Sequence, residues 1–370
     1  MVKRIAYVGL DVHKESITIA VAEQGREKAL ELATIPNHFP KLLKVLRRFE
    51  QEFEVTVRCC YEAGPTGFGL YRRLNQEGIV CEVIAPSLVP RQPGRRIKTD
   101  RRDAVQLAHY YRSGNLTVVA VPDEATEAIR DLERSREDAK KAERVARSQL
   151  SKFLLRHDRR WEGKTNWTQK HLDWIRSQTF CEDAHKWVLV DYLETVERAT
   201  VRVDELTKRI EEVVENWSSA PLVKALQAFR GIRLVTAVVI AAELGDLRRF
   251  CKPSDLMGYL GLVPSETTTG QSQHRGPITK TGNQHVRWVL VEAAWQYRFQ
   301  PRMSEAIRKR NDGVAPAVRQ IAWKAQKRLH GRFKRLTDRG KLGQVAVTAV
   351  ARELAGFLWA VGQQSQWVES

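Results

Sequence analysis

The chain predicts an α/β amino-terminal domain, then a helical, coiled-coil-like region, then a mainly α carboxy-terminal domain. Three observations predict this order. Strand-length apolar runs alternate with helical patterns up to about residue 115, exposed charge-alternating helices fill residues 123–217, and small or apolar residues at helical spacing dominate from residue 218. The boundaries follow as 1–118, 119–217 and 218–370.

Within the first segment, Ile5–Val12 and Ile17–Ala22 are β-rich runs joined by His13-Lys14-Glu15-Ser16, a polar turn that predicts a hairpin. Lys28–Ala33 predicts a third antiparallel strand. Leu42, Val45, Leu46 and Phe49 recur at helical spacing over Pro40–Glu52. Then come a strand Val55–Glu62, a Gly64-Pro65-Thr66-Gly67 turn, a helix Phe68–Gln76 stopped by Gly78, a strand Val80–Ala85 and a helix opening near Asp100. The order βββ-α-β-α-β-α describes an RNase H-like sheet, in which the first strand, the fourth strand and the last helix meet at one edge.

The second segment alternates charges, as in Arg130–Asp138, and keeps a helical period at Val203, Leu206, Ile210, Val213 and Val214. An antiparallel helical pair or coiled coil fits this pattern, with Trp161–Trp167 as a connecting loop. In the third segment Arg230-Gly231-Ile232-Arg233 opens a helix of small residues over Val235–Gly245, in the manner of a helix-hairpin-helix element facing phosphate. Residues 265–283 are rich in Ser, Thr and Gly, and predict a long functional loop.

The charge balance narrows the partners. Lys and Arg total 62 against 44 acidic residues, a net charge of +18, which favours phosphate backbones or an anionic surface. The cations gather in runs. One holds Arg91, Arg95, Arg96, Lys98, Arg101 and Arg102, and another spans Pro301–Lys341 with thirteen cations and three acids. The five cysteines have no CxxC spacing and read as small buried hydrophobes rather than zinc ligands or disulfides. No uninterrupted apolar stretch looks long enough to span a bilayer, and Met-Val-Lys-Arg-Ile lacks a cleavable signal pattern. The expectation is a cytoplasmic, nucleoid-associated protein with no membrane partner.

Against this basic background stand four acids: Asp11 in an apolar strand, Glu62 at the end of another, and Asp100 and Asp103 at a helix start. A carboxylate in a buried strand is unfavourable unless paired or metal-bound. Asp100 and Asp103 share a helix face, although Asp100 alone equally fits an ordinary N-cap. Together they predict a site for Mg²⁺ or Mn²⁺ able to act on a phosphodiester. The second constellation is hydroxylic: Ser265, Thr267, Thr268, Thr269 and Ser272 beside His274, Arg275, Lys280 and Arg287. An alcohol attacks phosphorus only if its proton is removed and cations meet the developing charge. Trp161, Trp167 and Trp174 offer faces to unpaired bases, though tryptophans on helices more often pack inside.

The stretches Gly9–Lys14, Tyr61–Gly67, Lys98–Ala104 and Gly261–Asn283 together resemble the DEDD transposases, insertion-sequence recombinases guided by a non-coding bridge RNA. The likeness covers residues 1–115 and 220–300, with four motifs in order. It implies that Asp11, Glu62, Asp100 and Asp103 form a Holliday-junction-resolvase-like Mg²⁺ site, and that a hydroxyl in the second domain joins covalently to DNA. It also implies double-stranded DNA (element ends and target), a guide RNA and a homo-oligomer, dimer or tetramer, as partners. Cationic contacts to nucleic acid fall to Arg95, Arg96, Lys98, Arg101, Arg102, Arg275, Lys280 and Arg287. The family typically has serine directly before the glycine matching Gly270, whereas this chain has Thr269. Thr269 is the favoured nucleophile, with Thr268, Ser272 or an inactive copy left open. The alternatives are a metal-dependent junction endonuclease using only the acids and a non-catalytic nucleic-acid-binding protein.

Overall fold

The computed structural model describes residues 4–90, 99–269 and 272–368, and their contacts group into two units, Met1–Val121 and Pro122–Ser370. In the first, β1 (Arg4–Val12), β2 (Ser16–Glu23) and β3 (Leu30–Pro36) precede α1 (Phe39–Glu52), β4 (Val55–Glu62), α2 (Gly69–Gln76), β5 (Val80–Ile84) and α3 (Asp100–Arg112). The sheet runs β3-β2-β1-β4-β5, antiparallel on the β3 side and parallel on the β5 side. This mixed α/β sheet is compatible with an RNase H-like fold. The third strand lies two to three residues beyond the expected Lys28–Ala33. It pairs from Leu30 to Pro36, and its alternating exposure is that of an edge strand, where one polar face tolerates either register.

Period-two alternation builds the layers. Ala6, Val8 and Leu10 of β1 are fully buried with Leu42 and Leu46 of α1 and Leu74 of α2. The opposite face is covered by α3, whose Ala104, Leu107 and Ala108 are buried.

In the second unit α4 (Glu124–Arg156), α5 (Gln169–Arg176) and α6 (Asp183–Glu215) precede α7 (Ala220–Leu226), α8 (Leu234–Leu244) and α9 (Pro253–Tyr259). The hairpin β6 (Pro264–Thr269) and β7 (Ser272–Ile278) follows, then α10 (Gln284–Ala294), α11 (Glu305–Asn311), α12 (Pro316–Asp338) and α13 (Gly343–Gly362). Helices α4 and α6 pair antiparallel: Arg136 Nε donates to Thr207 Oγ1 (2.7 Å), and Thr200 Oγ1 donates to Glu143 Oε1 (3.2 Å). Asp123 caps α4 by accepting from Thr126 N at 2.6 Å. The core is centred on α8, where every residue from Ala237 to Leu244 is buried.

Two expectations change here. Residues 264–269 and 272–278 pair as antiparallel strands rather than forming a loop: Thr267 pairs with His274 and Thr269 with Ser272. The run is polar, but its threonines are β-branched and favour extended backbone, so polarity concealed a strand. Helix α13 is also long and apolar enough, by length and composition, to cross a membrane. It instead buries Val347, Val350, Ala351, Leu354 and Leu358 in the core, and it carries Arg352 and Glu353 mid-helix.

Candidate functional site

Asp11 shares its face of β1 with Tyr7 and Gly9, the face that α3 covers. A Cβ at Gly9 would overlap the Ala104 carbonyl oxygen and the Ala108 nitrogen. Glycine there lets α3 lie directly on the strand, and the first turn of α3 arrives beside Asp11. Thr99, not Asp100, caps this helix, its Oγ1 accepting from Arg102 N at 3.4 Å. That corrects the N-cap expectation for Asp100 and leaves its carboxylate available at the site.

His13 Nε2 lies 3.2 Å from Asp11 Oδ2 and 3.5 Å from Asp100 Oδ1. The ligand atoms of Asp11, His13 and Asp100 all lie within 4.8 Å of one another. Glu62 follows Tyr61, the β4 partner of Leu10, and shares a face with Cys60, which packs on α3. It therefore stands on the strand beside Asp11, at the same end of the parallel pair, although it lies outside that tight group of three. Asp103, one turn into α3, acts on Asp11 electrostatically. Burial raises the Asp11 carboxyl above its usual range, His13 opposes this, and Asp100 and Asp103 raise it further. Carboxylate oxygens that repel one another in a half-buried position suit a divalent cation. His13 belongs to this site although its residue type alone does not mark it; its place two residues past Asp11 in a hairpin turn is the signal the sequence offers.

Thr269 is the last residue of β6, its Cα opposite that of Ser272. The hairpin is anchored at its base. Arg287 donates to the carbonyls of Leu260 and Thr281, both at 2.8 Å, and Gly282 adopts φ 68° where a Cβ would overlap the Tyr259 carbonyl. Of the expected cationic contacts, Arg275 pairs with Glu266 across the hairpin (3.3 Å) and Arg101 with Glu31 (2.7 Å). Arg102 and Lys280 are exposed. Arg95, Arg96 and Lys98 lie outside the described residues.

A second ionic cluster joins α4, α8 and α10. His285 Nε2 lies 3.0 Å from Glu133 Oε2, and Nδ1 lies 2.7 Å from Glu137 Oε2. A neutral imidazole has one N–H, so carboxylates at both nitrogens call for the imidazolium. Its pKa is raised accordingly, by the Glu133 hydrogen bond first. Burial alone would raise the nearby Glu243, but Arg134 and Asn283 outweigh it and hold that acid below its usual range. Glu133, Glu137 and His285 also have metal-ligand spacing, yet they satisfy one another as a cation between two anions. The cluster is hidden in the sequence because 152 positions separate Glu133 from His285. In the sequence Glu133 resembles any member of an exposed charged stripe, yet it is 4% exposed.

Acids gathered at the ends of the central strands, on a strongly basic chain, fit a protein that processes nucleic acid, and comparison with known proteins identifies the kind. Residues 8–157 match the DEDD transposase family of IS110 type, and residues 223–308 match the Transposase IS116/IS110/IS902 family. A protein of Sinorhizobium fredii (strain NBRC 101917 / NGR234) named as transposase y4qE is 46% identical over 99% of this chain and 91% of its own length. The transposase for insertion sequence element IS1533 of Leptospira borgpetersenii is 32% identical over 92% of this chain and 99% of its own. The chain belongs to the DEDD transposases of the IS110 family and is an enzyme of DNA transposition. The first matched segment contains all four acids and the second contains Thr269.

Proposed function

We propose that the chain is the recombinase of an insertion sequence, cutting and rejoining double-stranded DNA with Mg²⁺ (or Mn²⁺) and a protein hydroxyl, under guidance of an RNA. In the working division, residues 1–118 hold the acids, 119–217 space or oligomerise the enzyme, and 218–370 supply the hydroxyl. The observation that carries the reading is the convergence of Asp11 and Asp100 beside His13, made possible by Gly9.

Asp11 and Asp100, with Glu62 and Asp103, would hold the ion. When bound, a divalent cation neutralises these acids and polarises a phosphodiester. The chain's own residues do the rest. Thr269 Oγ1 bonds to phosphorus as one P–O ester bond of the strand breaks. The alcohol loses its proton to a base, and the departing oxygen gains one as a free hydroxyl. Because the phosphate stays esterified, rejoining is the reverse attack by a new strand end and needs no external energy source. Threonine is a secondary alcohol with a restricted χ1, which limits its angles of approach more than serine would.

Recovery of the protein from cells carrying its element, digestion of bound DNA and peptide mass spectrometry test this reading. A phosphonucleotide on Thr269 is the expected result, and one on Thr268 or Ser272 moves the nucleophile along the hairpin. Cut DNA ends without any adduct would favour hydrolysis by the acids alone, and neither product would favour a binding protein.

A further inference from the structure

Toward the carboxy-terminal end of α4, beyond the turns that hold His285, lies a cleft that the recombination chemistry leaves unused. It measures about 580 Å³ and is lined by Lys140, Arg144, Arg147, Ser148, Lys152 and Trp167, among others. Ligand pockets fall within about 300–1,000 Å³. Positions 140, 144, 148, 151, 152 and 155 recur at helical spacing, so the cleft follows one helix face for about 22 Å.

Its charge is unbalanced in a specific way. The buried Glu143 is held by Lys140 and Arg147, both at 2.5 Å, and by Thr200 Oγ1 at 3.2 Å. Glu143 is the only acid in the lining, against four cations, so three positive charges remain. Arg144 and Lys152 are exposed and have no acidic partner among the described residues. Arg147 Nε is buried without a hydrogen-bond partner among the described residues.

The aromatic member is set in an unusual way. Trp167 has φ 63°, a left-handed conformation that bulky residues rarely adopt. Its backbone N–H donates to His171 Nδ1 at 2.9 Å, which helps to hold the turn. Its ring stands 5.1 Å from the Arg147 guanidinium and contributes to the cleft wall. Backbone strain retained to present an indole among cations is the kind found at ligand clamps. Cations tracking a backbone, with an aromatic face for a base, are the two components of single-strand recognition.

We propose that this cleft binds a single-stranded segment of nucleic acid, with a base against Trp167 and phosphates on Arg144 and Lys152. A duplex presents no open base face to an indole, which excludes it as the preferred occupant. An acidic peptide would use the cations and leave the indole and the Ser148 and Ser151 hydroxyls without a role. The proposal deepens the reading of an RNA-guided recombinase by naming where an unpaired strand is held.

The test uses the full chain and three probes: single-stranded RNA and single-stranded DNA of one sequence, about 15 nucleotides long, and the corresponding duplex DNA. Arg144→Ala/Lys152→Ala changes two exposed side chains, and an unchanged Tm checks its fold. We expect affinity for single strands to fall about tenfold, and the salt slope of log K to fall by about 1.4, or 0.7 per lost phosphate contact. Duplex affinity should stay within about twofold. Photocrosslinking of a thiouridine strand should reach the peptide that contains Trp167, and Trp167→Phe should retain more single-strand affinity than Trp167→Ala. The relative strength of the RNA and DNA arms identifies which strand the cleft takes. Equal losses on duplex and single strands, no loss on single strands, or displacement by polyglutamate would overturn the proposal. RNA guidance fails separately: transposition would then survive removal of RNA, while the double variant still loses single-strand binding.

Discussion

Asp11 is pulled in two directions, because its half-buried position disfavours the charge that a cation needs. Its raised pKa means that the metal-free protein binds a proton here more tightly folded than unfolded. Stability from this group is therefore full below the usual value of 3.8 and is lost as pH rises through the elevated folded value. Asp11→Asn should leave metal-free Tm unchanged or higher, remove any Tm increase with Mg²⁺ and abolish DNA processing; thermal shifts with and without the ion check it. His285 is the cationic counterpart. With its folded pKa above 6.5, its contribution is full below that value and is lost as pH rises through the folded pKa. His285→Gln should destabilise by roughly 1–3 kcal/mol near pH 6. The difference from the parent should shrink toward about pH 9, as denaturant titration at both pH values would show.

Two elements place the chemistry by how closely they approach their neighbours. Helix α3 reaches Asp11 only because Gly9 has no side chain under Ala104 and Ala108. Gly9→Ala should force the helix outward, destabilise by about 1–3 kcal/mol as overpacking does, and weaken metal binding although no ligand is altered. Calorimetry of Mn²⁺ binding reads that loss directly. The hairpin depends on its base in the same way. Gly282→Ala meets both a positive φ and the Tyr259 carbonyl. It should lower adduct formation at Thr269 while leaving metal-dependent thermal stabilisation intact, which separates positioning of the hydroxyl from binding of the ion.

For the whole molecule, the excess of 18 positive charges makes association with DNA a salt-dependent process. With about six to ten phosphate contacts, affinity should fall by roughly 10³–10⁵ between 50 and 200 mM salt. Filter binding across that range checks it, and a shallow slope would point to few backbone contacts. The charge is not free everywhere. Glu133, Glu137 and Glu143 lie on a helix that looks uniformly exposed in sequence, and Glu243 lies near the end of the apolar helix α8, yet each is tied to a cation inside the second unit. Part of the acidic content is therefore structural, and the DNA-facing charge rests on cations left unpaired.

The strand carboxylates were legible because local patterns fix them. An acid inside an apolar run is anomalous wherever it occurs, and period-two alternation puts Asp11 on one face with Gly9, and Glu62 with Cys60. Chain order also carried the sheet, since a hairpin followed by two helix-linked strands has few arrangements. The helical pair was visible from its charge and apolar period. What needed the tertiary structure was contact across long sequence separation: α3 lying on Gly9, His285 between two acids of α4, and Trp167 beside Arg147. The hairpin carrying Thr269 sat between these cases, since β-branching favoured a strand but polarity hid it. Local backbone preference and periodicity act over a few residues and can be read directly. Close approach depends on which surfaces the whole chain brings together, and only the folded molecule decides that.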